Sequence, residues 1–336
     1  MLAARATRSA SGGASSSSDD ESRCLMLALS HDELGVIVDG LADPLQPAVA
    51  VALSSTCLGL RTPLRVVLEV LKERHERALA LCRKVGINVR VYLTPWKRGT
   101  SCRELRAATE LYWWQKGLDT NDMAVLGMIL RFLPSLQSLE ISNNPVGDTG
   151  MHAMCEGLGF GAAPSLSDLS LAGNKFWPAG AEVLAAALRR GAMPKLKELQ
   201  ICSNAIGSQG VAALAAPLRK MPALKRLFLD SCDTGDEGVA SLVDNLGKDD
   251  FKELEMLGLL EDNITDAGCA TLASSLDAGG MPMIDHIVVA SPGKSVVRAA
   301  LERRAREGTA QCMKSRNFHK HSCLCREISN HSHANT

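Results

Sequence analysis

The chain has 336 residues, of which 46% are apolar and 4% aromatic, with 37 Lys+Arg balancing 37 Asp+Glu. That length holds about two domains of roughly 100–200 residues, and a zero net charge gives no whole-chain argument for nucleic acid or for an acidic tail protein. Eleven cysteines, an odd number with no C-x-x-C pair, speak against a disulfide framework and for reduced thiols in the cytoplasm or nucleus.

Residues 1–23 are rich in Ser, and the first eighteen lack acids while carrying Arg5 and Arg8. This composition fits a disordered tail, with an organelle transit peptide as the other reading. Residues 24–85 are predicted all-α: helices over Asp32–Leu41, Val49–Leu60 and Leu64–Arg83. The order Leu29-Ser-His-Asp-Glu-Leu34, then Val36, Ile37, Val38, Leu41 and Asp43-Pro44, then Ala48–Leu60 with Cys57, resembles an F-box. Ser30 stands where that family has proline, and Leu60 where it has tryptophan. The resemblance implies binding to a Skp-type ubiquitin-ligase adaptor; the alternative is a helical N-terminal cap. Residues 86–105 alternate without repeating and are read as a linker.

Residues 106–307 repeat. The pattern L-x-x-L-x-L-x-x-N-x-φ, with φ apolar, occurs at Leu136/Leu139/Ile141/Asn144/Val146 and again at starts 166, 196, 224 and 254, in steps of 30, 30, 28 and 30. Imperfect copies start at Ala108 and Ile284, giving seven. The L-x-L core has period 2 and predicts a short strand with Leu199 and Ile201 on one side and Gln200 on the other. Fourteen residues after the start lies Gly150, Gly180, Gly210, Gly238 or Gly268. Asp148, Ser208, Asp236 or Asp266 stands two residues earlier, a side chain that can cap a helix by accepting its free N–H groups. Pro178 fills that place once, where a first-turn proline is tolerated. Apolar pairs at four-residue spacing, Leu184/Leu188, Leu214/Leu218, Leu242/Leu246 and Leu272/Leu276, predict the helix face.

Strand, turn, helix and return must stack, because one such unit cannot bury both of its faces alone. The expected fold is therefore an α/β solenoid, a horseshoe with parallel strands inside and helices outside. Asn144, Asn174, Asn204, Cys232 and Asp262 form its turn column, where side chains satisfy buried backbone groups. This stretch closely resembles the ribonuclease-inhibitor-like class of leucine-rich repeats. The resemblance implies a concave sheet that grips protein partners and brings no catalytic machinery.

The candidate partner-binding residues on that face are Glu110, Tyr112, Trp114, Glu140, Asp168, Glu198, Gln200, Arg226, Phe228, Asp230 and Glu261, with His286 beyond them. Six acids against one arginine predict a negative face and a basic partner, and Tyr112, Trp114 and Phe228 are candidate anchors. Glu140, Asp168 and Glu198 are expected at or near the same strand position in successive repeats. From Pro292 onward nine Lys/Arg oppose three Glu, and 308–336 reads as a basic disordered tail. Its Cys312, His319, His321, Cys323 and Cys325 match no zinc-finger spacing, so no metal is expected. His31, His75 and His152 read as surface residues, and no phosphate loop, dinucleotide fingerprint or H-E-x-x-H occurs. No apolar run approaches the ~18 residues of a membrane helix. The expected protein is thus a cofactor-free interaction scaffold that binds neither nucleic acid nor membrane. The alternatives are an F-box-type substrate receptor and a GTPase-activating regulator of the same repeat class, the latter requiring a rim cluster for which Lys116 and Asn121 are the nearest candidates.

Overall fold

A computed structural model describes residues 43–56, 58–85, 100–289 and 293–316. The tail 1–23, the segment Asp32–Leu41, most of the linker, Pro292 and the zinc candidates from His319 onward lie outside those residues. The chain divides into two compact units, Met1–Glu76 and Arg77–Thr336.

In the first unit, helix α1 (Ala48–Thr56) precedes the greater part of α2 (Leu58–Lys84), whose last residues belong to the second. Both start or end some residues away from the helices expected at Val49–Leu60 and Leu64–Arg83. Ala50 and Leu71 are buried together with Leu68 packed against them. Asp43 closes the turn before α1 by accepting the Leu45 N–H at 2.8 Å. His75, read from sequence as a surface residue, is half-buried, with Nδ1 2.6 Å from the Pro44 carbonyl oxygen.

The second unit is an α/β leucine-rich-repeat solenoid. Seven strands, β1 (Glu110–Tyr112), β2 (Ser138–Glu140), β3 (Asp168–Ser170), β4 (Glu198–Gln200), β5 (Arg226–Phe228), β6 (Met256–Leu259) and β7 (His286–Val289), form one sheet in sequence order. Every neighbouring pair is parallel, and Leu111, Leu139, Leu169, Leu199, Leu227, Leu257 and Ile287 face one another in register. The first six of these are at most 2% exposed, so the L-x-L alternation places its leucines inward as the period-2 argument requires. Helix α3 (Cys102–Ala107) precedes β1; between successive strands run α4 (Thr120–Ile129), α5 (Gly147–Glu156), α6 (Pro178–Arg189), α7 (Gly207–Arg219), α8 (Gly235–Val243) and α9 (Asp266–Asp277); and α10 (Lys294–Arg316) follows β7.

Three boundaries differ from the sequence expectation. The end of the supposed linker is helical: Ser101 and Glu104 form a reciprocal capping box that starts α3. Helix α8 stops at Val243, so Leu246 does not extend its apolar face. Asp244 is extended and Asn245 has a positive φ of 53°, and Asp250 ties the following turn by accepting the Gly247 N–H at 2.9 Å. Finally, α10 continues to Arg316, past the tail boundary at 307.

Two of the residues expected to cap helices, Asp148 and Asp236, do so across the repeats. Asp148 precedes Gly150 in α5, yet its carboxylate accepts the N–H groups of Trp177 and Gly180, at 2.7 and 2.9 Å, at the start of α6. Asp236 likewise accepts the Thr265 N–H at 2.8 Å and its hydroxyl at 2.5 Å, at the start of α9. The Thr265 hydroxyl and the neighbouring amides hold the Asp236 carboxyl below the usual range. Each aspartate thus caps the helix of the next repeat, where the free N–H groups and the helix dipole favour an anion. This explains the glycines: a Cβ on Gly180 would lie 2.7 Å from Asp148 Oδ1, and one on Gly268 2.3 Å from Asp236 Oδ1. The opposite helix ends are joined in the same manner. Arg190 donates to the Cys155 and Leu158 carbonyls, and Arg219 to those of Ser241 and Leu242.

Candidate partner-binding surface

The turn column fixes where each strand ends, and so what the sheet presents. Asn144 Nδ2 donates to the Trp113, Ile141 and Ser142 carbonyls, at 2.8, 2.9 and 3.2 Å, while its Oδ1 accepts the Leu118 N–H. Asn174 Oδ1 accepts the Asn144 N–H, and its Nδ2 donates to Leu171. Asn204 accepts from Asn174 and Phe176 and donates to Leu171, Ile201 and Cys202. Each amide therefore ties two repeats using both of its functions. All three are at most 1% exposed.

The two substitutions in the column preserve only part of this. Cys232 Sγ donates to Ile201 O at 3.2 Å, a weaker donor in the amide's place. Asp262 Oδ1 accepts the Cys232 and Thr234 N–H groups, but its Oδ2 is buried without a partner, as is Thr234 Oγ1. A carboxylate has no proton to donate where asparagine has two. Burial raises the Asp262 pKa to about 6, at which the acid recovers a donor.

On the open face of the sheet, two columns of side chains alternate with the buried leucines. The first is Glu110, Ser138, Asp168, Glu198, Arg226, Met256 and His286; the second is Tyr112, Glu140, Ser170, Gln200, Phe228, Gly258 and Val288. The strands thus carry Glu110, Tyr112, Glu140, Asp168, Glu198, Gln200, Arg226 and Phe228 of the expected site. Trp114, Asp230 and Glu261 lie just past strand ends instead. Glu261 sits in a left-handed turn with φ of 56° and accepts the Ser231 hydroxyl proton. Asp230 holds the next repeat by accepting the Leu260 N–H at 2.8 Å.

The three acids expected at or near one strand position fall in two columns. Asp168 and Glu198 are neighbours in register, but Glu140 belongs to the other column. Nor are those two acids unbalanced: Arg226 Nε pairs with Glu198, and its Nη2 lies 3.8 Å from Asp168. Gln200 donates to Glu198, Ser170 donates to Gln200 at 3.3 Å, and Ser170 and Ser142 are 2.8 Å apart. A polar belt therefore crosses β2 to β5. Ser142 and Ser170 escaped the sequence reading, although the repeat register alone places them on this face.

The two ends of the face differ from its centre. Toward the start, Glu110 accepts the Tyr112 hydroxyl proton at 3.0 Å and Trp114 is 47% exposed. Among the described residues, neither Glu110 nor Glu140 has an ion-pair partner. Toward the other end, Phe228 and Asp230 lie so close over Gly258 that a Cβ there would meet them at 2.9 and 2.8 Å. On the helical side, the early stop of α8 opens a cleft lined by Val243, Asn245, Leu246, Thr271 and Ser274.

Among the described residues no group of His, Cys, Asp and Glu has metal-binding geometry. No helix of the described residues is long and apolar enough to cross a membrane. His152 pairs with Glu156 at 3.4 Å on an exposed helix face. Residues 132–155 and 192–215 match the family described as Leucine Rich repeat. These stretches contain β2 with most of α5, and β4 with the first part of α7. No curated protein matches the chain.

Proposed function

We propose that the protein is a non-catalytic interaction scaffold that binds a protein partner with a basic surface on the open face of its sheet, chiefly across β1 and β2. The observation that carries this reading is the uneven neutralisation of the face. Asp168 and Glu198 share Arg226, so a cation arriving there must compete with an arginine already in place. Glu110 and Glu140 stand on adjacent strands with no such competitor, beside Tyr112 and the exposed Trp114. An aromatic next to carboxylates that have no cation suits an incoming lysine or arginine, whose charge is met by the acids and whose stem or guanidinium packs on the ring. Solenoids of this kind use extended sheet surfaces for recognition, and parallel repeats bearing leucine at the inward positions suggest an interaction scaffold here.

Affinity purification of the full chain with Glu110→Gln/Glu140→Gln as the paired control tests the reading. A partner with a basic surface retained by the native face and lost from the double variant supports it. A Skp-type adaptor held equally by both would move the function to residues 24–85 and the F-box-type reading. A small GTPase held equally by both would favour the regulatory one.

A further inference from the structure

The last turn of α2 and the first turn of α3 bring two thiols together. Cys82 Sγ and Cys102 Sγ are 3.9 Å apart, both buried, from positions twenty residues apart in the chain. The backbone is tied close by as well, since the N–H of Thr100, two residues before Cys102, donates to the Cys82 carbonyl at 2.8 Å. The capping box of Ser101 and Glu104 fixes the residue just before Cys102. Leu81, Val85 and Leu105, each at most 1% exposed, close the apolar surroundings. Lys84 anchors the same helix end on the first repeat through Asp119 at 3.6 Å and through Asp122.

A disulfide needs its sulfurs about 2.05 Å apart. The pair is within roughly 2 Å of that bond, a distance that side-chain rotation and small backbone shifts can cover. We propose that Cys82 and Cys102 are an oxidisable dithiol that a peroxide closes to a disulfide, stapling the end of α2 to α3 at the start of the repeat array. The chemistry balances in two steps. One thiol reduces the peroxide, giving a sulfenic acid and one water from hydrogen peroxide. The facing thiol then attacks that sulfur, forming the S–S bond and releasing the second water. Two thiols lose two hydrogens and two electrons, and both oxygens of the peroxide leave as water.

Burial determines when this happens. It raises both thiols above the usual range, Cys82 to about 12, so neither is a ready thiolate at neutral pH and the first step is slow. Cys102, at 7% exposure, is the more accessible of the two. Once either sulfur is oxidised, the second step is intramolecular and needs no encounter. The pair is thus built to stay reduced under mild conditions and to close under sustained peroxide.

The test treats the folded full chain with hydrogen peroxide, blocks remaining thiols with an alkylating agent and maps the peptides by mass spectrometry. The expected result is a Cys82–Cys102 linked peptide two hydrogens lighter than its reduced parts, with Cys155 and Cys232 unlinked. The melting step of the stapled region should rise by about 5 °C, as for the closure of a loop of this length. Cys82→Ala should abolish both the link and the rise, and Cys102→Ser supplies the same control should the first variant fold poorly. The proposal is overturned if both thiols stay reduced under peroxide, if either is oxidised further without crosslinking, or if the link forms only in denaturant.

Discussion

From β2 to β4 the turn column is built of asparagines, Asn144, Asn174 and Asn204, each bonded to its own repeat and a neighbour. After β5 and β6 it is built of Cys232, whose thiol keeps a weak donor, and Asp262, which keeps the accepting half and has no proton to donate while ionised. The open face changes along the same direction. Its first two strands carry Glu110 and Glu140 without a cation, whereas its centre is balanced by Arg226, and Phe228 closes over Gly258. The half of the solenoid with the complete asparagine column is therefore also the half whose acids lack an internal cation. A rigid scaffold loses little entropy when it binds, so the coincidence has a physical use.

The largest expected effect separates the two halves of the column. Asn204→Ala strands the N–H groups of Asn174 and Phe176 and the carbonyls its amide serves, and should cost about 3 kcal/mol. Cys232→Ala removes one weak donor and a small volume, and should cost about 1 kcal/mol. Chemical denaturation of both variants checks this; equal losses would mean the two halves do not differ as described.

Asp262→Asn should repair the second half. The folded-state pKa of Asp262, about 6, lies above its unfolded value. The native state therefore holds the proton more tightly between about pH 4 and 6, and stability falls as pH rises through that window. At pH 7 the buried carboxylate costs on the order of 2 kcal/mol, which Asp262→Asn should return together with a donor. Denaturation from pH 4 to 7 should show the variant gaining on the native chain as pH rises. A constant difference across the range would show that Asp262 is charged throughout. The carboxyls of Asp119 and Asp236 work in the opposite sense. The Asp122 N–H lowers Asp119, and the Thr265 hydroxyl lowers Asp236, so their support fades as pH falls toward and below about 4.

A smaller effect belongs to the caps between repeats. Asp148→Ala should cost about 1 kcal/mol, the usual loss for a helix N-cap. Hydrogen exchange should rise at Trp177 and Gly180 in α6, where its bonds end, rather than in α5, which carries it. Faster exchange confined to α5 would return Asp148 to its own helix.

These differences mark what the sequence made legible. The strands, their register and the asparagine column follow from a period of about 30 residues, because identical positions in stacked repeats must face one another. The partner of Asp148 did not follow, because a cap signal next to a helix start reads as local, while the true acceptor geometry spans 29 residues to Trp177. The glycine facing it, Gly180, carried the missing half of the signal. Arg226 was counted as one charge against six, yet its pairing with Glu198 and Asp168 decides which acids remain available. Glu140 lies near the strand position of those acids but two residues further from its repeat start, which puts it in the other column. Leu246 looked helical by spacing until Asp244 and Asn245 turned the chain away.

The central claim is that the β1–β2 end of the face contacts a basic partner directly. Binding of an oligolysine peptide to the native chain, to Glu110→Gln/Glu140→Gln and to Asp168→Asn/Glu198→Gln tests it at about 0.1 M and 1 M salt, where screening lengths are about 10 and 3 Å. Both variants remove two charges and should slow association at low salt. Only the first should also lower affinity, by about tenfold, because its carboxylates are the ones without an internal cation. Equal affinity losses from the two pairs, or binding indifferent to salt and to both, would contradict the account.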